Sequence, residues 1–402
     1  MTIPAHRTAR PYCLTFLLLC GIAACDAPDS DLSLIVQRDS AGIEIVEATR
    51  PLWDDSSLWR VDPEPLLDLA LSGSGPNHEF HRARSMIQRP DGSLAVADRG
   101  SQQVRVFSEA GEFQGSFGGP GEGPGEFSNL WRIENAGDTL LVLDSRRRVT
   151  VVTPRLALVR TFNLANNTSS LHNLGGGTML TVGASPGLPE ARATGVIRPA
   201  EILALVSLEG VEIDDIGETP GSESYVSVGE NYASGAPLFG KTAHVAVLGQ
   251  RIFRGTSDAM EVEELDMTGS LVRILRIPGY PLDLSADRIA AEREARLEEL
   301  PSAVPAFIRR LVEDLPAPAT RPAYANMLVD PSGAVWLELY RGVSERDHPQ
   351  EWLILDADGT WLGNVEVPHR FTLMEVRMDR MLGVWRDEVD VEHPQVLRVT
   401  RN

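Results

Sequence analysis

Cysteine is scarce in this chain of 402 residues, whose three cysteines are Cys13, Cys20 and Cys25. The first two fall in a segment that we expect to be removed, and the third would become an acylated first residue. The mature protein would then carry neither a free thiol nor a disulfide. Such a chain cannot use thiol catalysis, cysteine-ligated zinc or an iron–sulfur cluster.

Positive charge is also in short supply. The chain has 37 lysine and arginine residues against 57 aspartate and glutamate residues, which gives a net charge of −20. A chain this acidic repels nucleic acid and anionic lipid. We therefore predict no nucleic-acid partner, and membrane contact through a lipid anchor only.

Long apolar runs are missing beyond the N-terminus. Residues 12–24 are apolar and follow a positively charged start, which is typical of a signal peptide and too short to cross a bilayer well. The Ile-Ala-Ala-Cys sequence that ends at Cys25 resembles the lipobox of bacterial lipoproteins. We predict that residues 1–24 are a lipoprotein signal peptide and that Cys25 is the lipid attachment site. The alternative is an ordinary secretory signal.

The segment after the lipobox is polar. Residues 25–40 contain four aspartates and predict a flexible tether, so we place the folded domain at residues 41–402. A lipoprotein with this layout belongs to the bacterial cell envelope. We expect it to be extracytoplasmic and anchored by lipid to a membrane, facing the periplasm.

A repeat is the strongest positive signal. Residues 73–80 read Gly-Ser-Gly-Pro-Asn-His-Glu-Phe, and residues 121–127 read Gly-Glu-Gly-Pro-Gly-Glu-Phe. Each copy follows a short apolar strand and precedes a strand–turn–strand pattern. Repetition at this scale predicts stacked copies of one supersecondary unit, because a single unit cannot bury its own faces.

The unit is a blade of four strands, a to d, joined by Gly-, Asp- and Pro-rich hairpin turns. Only five c–d hairpins can be found, and the chain ends on a c strand, so residues 66–71 are predicted to supply the sixth d strand. The fold class is therefore all-β, a six-bladed β-propeller closed by an N-terminal strand. The six b strands are predicted at 93–97, 139–143, 178–182, 251–255, 334–339 and 381–385.

Insertions interrupt the repeat. Residues 183–200 and 218–240 are predicted to be loops, and residues 285–315 a short helical insertion that begins near Ser285. The helices either pack on one propeller face or act as a lid or a partner-binding helix. The acidic run 292–299 is predicted to be a solvated helix face.

A family resemblance rests on the Leu-Ala-Val-Ala-Asp strand that begins at Leu94, the Val-Arg-Val-Phe strand that ends at Phe107, and the Gly-Pro-Gly-Glu-Phe that ends at Phe127. These motifs resemble NHL-type six-bladed β-propellers, especially their bacterial lipoprotein branch. The resemblance covers residues 79–165 and, more weakly, 323–400. It implies the fold and does not imply one function, because propellers host many activities.

Candidate site residues come from the a strands, which border the central channel of a propeller. Counting back eight residues from each b strand gives one position per blade, and Arg132, His172 and His244 are the ligand-binding candidates among them. Two histidines could bind a metal or polarise a ligand, but catalytic zinc normally takes three protein ligands. We therefore predict no metal site, no cofactor and no catalytic residue. The other three positions are Met86, Met327 and Met374.

Two further motifs predict neither a phosphate-binding nor a calcium-binding site. The glycines of residues 118–125 do not fit a phosphate loop, and the Asp-Ala-Asp-Gly that begins at Asp356 lacks the distal glutamate of a calcium loop. We predict a monomeric, non-catalytic binding or scaffold module for a protein, peptide or glycan. The alternative is a metal-assisted hydrolase or lyase with its site at the channel mouth, so enzymatic activity is left open but not favoured.

Overall fold

Six mainly antiparallel sheets, most of them with four strands, form the core of the computed structural model. It describes residues 33–53, 59–164, 167–185, 193–229 and 232–401. Residues 34–402 form one compact unit. The innermost strands of neighbouring sheets contact one another all the way around, including the last sheet and the first. This arrangement is the predicted six-bladed propeller.

Blades 1 to 3 follow one another along the chain, and each has four strands in the order a, b, c, d. Blade 1 consists of Ala83–Gln88, Leu94–Asp98, Gln103–Phe107 and Phe113–Gly118. Blade 2 consists of Leu130–Ala136, Thr139–Asp144, Arg148–Val152 and Leu158–Asn163. Blade 3 consists of Asn167–Gly175, Thr178–Ala184, Ala200–Ser207 and Glu212–Pro220.

Blades 4 and 5 repeat the pattern, and blade 6 draws its outer strands from the N-terminus. Blade 4 consists of His244–Leu248, Arg251–Gly255, Glu261–Leu265 and Leu271–Arg276. Blade 5 consists of Tyr324–Val329, Val335–Leu339, Gln350–Leu355 and Trp361–Val367. Blade 6 consists of Phe371–Val376, Arg380–Arg386 and Glu392–Thr400, with Arg60–Val61 and Leu67–Asp68 on its outer side.

The b strands form the interior of each blade, as predicted for all six. Leu94–Asp98 is buried along its whole length, because a blade is covered on both faces by its neighbours. The hairpin turns before and after the b–c pair require left-handed backbone. Gly92 in an a–b turn has φ 87° and Gly359 in a c–d turn has φ 88°, where a side chain would be strained.

The ring closes where the N-terminal strand pairs with the C-terminal one. Leu67 and Asp68 lie opposite Val396 and Gln395 in antiparallel register, so the predicted closure is confirmed. Asp68 fastens this seam, since its carboxylate accepts hydrogen bonds from Gln395 Nε2 at 2.8 Å and lies 3.0 Å from His393 Nδ1. The C-terminal strand therefore has a covered edge.

A longer N-terminal segment wraps the rim of the propeller. We call its described parts, residues 34–53 and 59–72, the belt. Ile35–Ser40 and Ile43–Ala48 form a hairpin whose second strand pairs in parallel with the d strand of blade 4. Further along, Trp53 N donates to Leu362 O of blade 5 at 2.9 Å. The belt thus joins blades 4, 5 and 6.

The belt corrects one prediction and leaves others untested. A flexible tether over residues 25–40 is wrong for residues 35–40, which are held in the blade 4 sheet by the register Ile35↔Ala48 to Ser40↔Ile43. Apolar and polar residues do not alternate clearly in this short stretch, so the sequence alone did not predict a strand. Residues 1–24, Cys25 and residues 26–32 lie outside the described part of the chain.

All large insertions emerge from the same end of the blades, because each lies in a b–c or a d–a connection. The a–b and c–d hairpin turns lie at the opposite end. The predicted helices are present as α1, Ala286–Glu298, and α2, Ala306–Glu313, with Ser285 capping α1. The regions predicted as loops also contain a three-stranded sheet, which corrects that prediction. Its strands are Gly195–Ile197, Ser224–Ser227 and Ala233–Gly235.

These helices and the small sheet form a cap with its own apolar cluster. Tyr225, Leu238 and Phe239 from the sheet region pack with Leu315 and with the apolar side of α1 and α2. The tertiary contacts explain why short strands form here without a strong strand pattern. The cap covers the face of the propeller over blades 3 to 5.

We predict that Asp68→Ala weakens the ring seam. The change leaves the partly buried His393 and Gln395 side chains without an acceptor, and it should lower the free energy of unfolding by about 1–3 kcal/mol. Asp62→Ala is the matched control, because the exposed Asp62 accepts only from the nearby Glu64 N in this segment. Urea titration followed by tryptophan fluorescence measures both. Equal stability of the two variants would show that the seam does not depend on Asp68.

Candidate functional site

The a strands line a small chamber in the central channel, as predicted. Its volume is about 270 Å³, and side chains from all six blades contribute to its wall. Five polar side chains line it from four blades: Arg132 and Glu134 of blade 2, His172 of blade 3, Asn326 of blade 5 and Glu375 of blade 6. The chamber is therefore polar on one side and lined by aliphatic residues and methionine on the other.

Arg132 and His172 are brought together by neighbouring a strands. Arg132 Nη2 lies 3.5 Å from His172 Nδ1, and the guanidinium also forms an ion pair of 2.6 Å with Glu134. His172 is 5% exposed, and its Nε2 lies 3.2 Å from Ser170 Oγ. Burial, and then the positive charge of Arg132, hold the pKa of His172 well below its usual value. His172 is therefore a neutral imidazole at physiological pH.

His244 does not join this pair. It is the first residue of its a strand and pairs with Gly255, and its Nε2 lies 2.7 Å from Thr242 Oγ1. Its ring packs against Tyr324 with centroids 5.4 Å apart, and burial lowers its pKa to about 4. The His244 side chain is thus packed at the start of its strand and is not part of the chamber lining.

Counting back eight residues does not reach equivalent positions in the six blades, because the a–b hairpins differ in length. Leu180 pairs with His172, eight residues before it, whereas Leu94 pairs with Gln88 and Ile252 with Val247. Hairpin length does not separate His244 from Arg132, since Leu140 also pairs five residues back, with Asn135. Met86 is fully buried in the core between blades, while Met327 and Met374 line the chamber. Hairpin length depends on turn geometry that the repeat alone does not reveal.

Two acidic residues of the chamber were missed. Glu375 is largely buried, and burial raises its pKa to about 7, although Arg377 beside it acts in the opposite direction. The nearby charge of Glu134 raises the pKa further. Glu375 also accepts a hydrogen bond from Gln88 N of blade 1 at 3.3 Å, so it links the first and last blades. A β-bulge between Leu373 and Glu375 directs it inward, and no sequence pattern announced the bulge.

Metal ligands are not grouped in the described residues. No three histidine, cysteine, aspartate or glutamate side chains there are placed so that they could hold a metal ion. The chamber offers hydrogen-bond donors and acceptors of both charges instead.

A second cavity opens at the capped end, between blades 5 and 6. We call it the face pocket; its volume is about 470 Å³. Four arginines line it, which is unusual in so acidic a chain. They are Arg341, Arg346, Arg370 and Arg386, accompanied by His369, Gln350 and the acidic residues Glu338, Asp347 and Asp390.

The face pocket lies next to the channel. Glu338 and Asn326 are opposite each other on blade 5, and their side chains form a hydrogen bond. Burial raises the pKa of Glu338. Since Asn326 lines the chamber and Glu338 lines the face pocket, blade 5 connects the two cavities.

The cap holds one wall of the face pocket in place. Glu292 of α1 is fully buried and accepts hydrogen bonds from Ser344 N and Oγ at 3.1 and 3.2 Å. Arg288 forms an ion pair with Glu345 at 2.5 Å, and Arg346 pairs with Glu299. The prediction that the acidic run 292–299 is solvated is therefore wrong for Glu292. The blade 5 loop that carries Arg341 and Arg346 is fixed by these contacts.

A family model for a 6-bladed beta-propeller, DUF5128, matches residues 82–152. The chain is a six-bladed β-propeller. The match spans blades 1 and 2, where the repeat is clearest, and confirms the resemblance stated above for the fold. It does not extend to the NHL type, which stays a prediction. No curated protein matches the chain in sequence.

A solved structure supports the same fold over most of the chain. A Bacteroides fragilis NCTC 9343 protein inferred to be exported is 12% identical, with a TM-score of 0.51 over 88% of this chain and 98% of that one. A DUF4221 family member of Bacteroides vulgatus ATCC 8482 is 10% identical, with a TM-score of 0.47 over 86% and 99%. At 12% identity the first likeness shows the fold alone.

We predict that Glu375→Gln changes the pH dependence of stability. Folded Glu375 keeps its proton up to about pH 7, whereas an ordinary glutamate releases it near 4.5, so wild-type stability falls as the pH rises through this window. The stability of the variant relative to wild type should therefore increase by up to about 3 kcal/mol between pH 4.5 and pH 7. Urea unfolding at a series of pH values measures the change. The exposed Glu388→Gln is the control, and a parallel profile for both variants would contradict the assignment.

Proposed function

We propose that this propeller is a lipid-anchored, extracytoplasmic binding module that holds a protein, peptide or glycan ligand on its capped face without changing it chemically. One observation carries the proposal: every large insertion lies at one end of the blades, where the helical insertion holds the blade 5 loop that lines the face pocket. Loops placed on a rigid scaffold are where binding sites concentrate. In the described residues, the opposite end carries the short a–b and c–d hairpin turns.

The lining of the face pocket favours a ligand that presents an acidic group. Its arginines are held by defined partners: Arg386 lies 2.8 Å from Glu392, and Arg370 pairs with Asp390. Arg341 donates through Nη1 to Arg346 O at 3.2 Å, so its guanidinium is oriented by the loop itself. Guanidinium groups fixed in this way match carboxylate geometry well and lose little freedom on binding.

The membrane attachment is proposed from Cys25. In the described part of the chain, neither helix reaches the length and apolar character that crossing a bilayer requires. A diacyl or triacyl anchor would hold the protein stably, since two or more chains are needed for lasting attachment. The Bacteroides neighbour inferred to be exported fits an extracytoplasmic location.

The alternative is still a metal-assisted hydrolase or lyase at the channel mouth. Arg132, His172 and Glu375 face the chamber and could in principle polarise a ligand. The described residues offer that reaction no group of three metal ligands. We therefore assign Arg132 and His172 to ligand contact in the channel, and we assign His244 no contact.

We predict that Cys25→Ser moves the protein from the membrane fraction to the soluble fraction, because the thiol is the acylation point. Cys20→Ser is the matched control and should leave the protein in membranes. Fractionation with immunoblotting measures the distribution, and mass spectrometry of the wild-type N-terminus should find acyl chains on Cys25. A soluble wild-type protein that starts at another residue would refute the anchor.

We predict that a photo-crosslinking amino acid at Thr372 captures the ligand. Thr372 is exposed and lines the face pocket, whereas Asp138 is exposed on a hairpin turn at the opposite end. Irradiated cell envelopes should give an adduct from position 372 and none from position 138, as judged by gel shift and mass spectrometry. The same adducts from both positions, or none from 372, would contradict binding at the capped face.

A further inference from the structure

Three of the seven tryptophans in the chain gather in one groove on the rim of blade 5. We call it the rim groove. Trp53 and Trp59 come from the belt, and Trp361 from the d strand of blade 5. The groove has a volume of about 550 Å³, and it lies outside both the chamber and the face pocket. Its lining also includes Arg60, Glu351, Asn364 and Glu366.

Neighbouring side chains hold the indoles of Trp59 and Trp361 in position. The guanidinium of Arg401 stacks on Trp59 with its central carbon 4.2 Å from the ring centroid, and Arg401 is itself bound to the buried Asp330 at 2.7 Å. Tyr280 packs edge-on against Trp361 at 6.2 Å. The rings therefore need little ordering when a ligand binds, which removes much of the usual entropic cost.

Trp53 depends on a glycine. A Cβ at Gly363 would lie 2.6 Å from the Trp53 ring, and Gly363 has φ +145°, so a larger residue there would displace the indole. Trp53 also stacks near Trp59, with centroids 5.2 Å apart. The two belt tryptophans thus contact each other, and Trp361 lines the same groove.

The polar side of the groove contains two carboxylates, beside Arg60 and Asn364. Glu351 and Glu366 lie directly opposite each other on neighbouring strands, an arrangement that destabilises a sheet when both carry charge. Asn364 Nδ2 donates to Glu351 Oε2 at 2.8 Å and orients this carboxylate. Two adjacent carboxylates accept hydrogen bonds and donate none, so a ligand rich in donors would relieve their repulsion.

We propose that the rim groove binds a neutral oligosaccharide. The C–H faces of sugar rings stack on indole rings, and sugar hydroxyls supply the donors that Glu351 and Glu366 require. A polar groove with an aromatic wall and a few placed acceptors is the usual form of such a site. Acidic glycans are disfavoured by these carboxylates and by the net charge of −20.

A proline-rich peptide is the competing occupant, because aromatic grooves also bind polyproline helices. Proline has no backbone N–H, so such a peptide offers few donors to the two carboxylates. The acceptor-rich side of the groove therefore favours the sugar. The two ligands are distinguished directly by the experiment below.

The test is isothermal titration calorimetry of the mature protein with maltohexaose, cellohexaose and chitohexaose, and separately with a decaproline peptide. We expect at least one hexasaccharide to bind and the peptide to give no heat. Trp361→Ala should weaken binding about tenfold or more, as for other aromatic anchors. Trp131→Ala is the matched control, because Trp131 is 45% exposed on blade 2, away from the groove, and should bind as wild type does.

Glu366→Gln is a second variant that tests the proposal even if Trp361→Ala fails to fold. Glu366 is exposed, so this change should preserve the fold while it weakens binding several-fold. Thermal unfolding of each variant verifies that it is folded. Absence of heat with all three hexasaccharides, binding of decaproline instead, or undiminished binding by Glu366→Gln would overturn the proposal.

Discussion

The pairing of Leu67–Asp68 with the C-terminal strand is the contact on which the rest of the propeller depends. A ring of blades has no free edge only if its last sheet is completed, and here a segment more than 300 residues away in sequence completes it. Asp68, His393 and Gln395 give this seam a buried polar network whose members satisfy one another. The belt extends the same principle by covering the outer strand of blade 4 and contacting blade 5.

A closed ring leaves its two ends and its rim for function. The end of the ring with the a–b and c–d turns has short turns in the described residues, while the other end carries the cap and the arginine-lined face pocket. Glu292 ties the cap to the blade 5 loop, so the pocket wall and the cap form one rigid structure. The rim groove is built differently, since it needs both the belt and blade 5. The belt thus closes the ring and supplies two of the three groove tryptophans.

Sequence reasoning found what repeats and missed what depends on local geometry. The turn residues and buried b strands predicted six blades and the closing strand, because each blade repeats one hydrophobic pattern. Arg132 and His172 were placed correctly in the channel, but His244 was not, because it is the first residue of its a strand and packs against Tyr324. Glu375 points inward because of a bulge, and Glu292 is buried by tertiary contacts. Neither the bulge nor the tertiary contacts can be recognised from residue spacing or composition.

Truncation from the N-terminus tests the closure most directly. A chain that begins at Leu34 keeps the whole belt, whereas one that begins at Gly73 lacks the belt and the closing strands. We expect the first to be monomeric and to unfold at the same temperature as the mature protein. The second should expose the edge of the C-terminal strand and aggregate, as followed by size-exclusion chromatography and calorimetry. A monomeric chain from Gly73 with unchanged thermal stability would contradict the account.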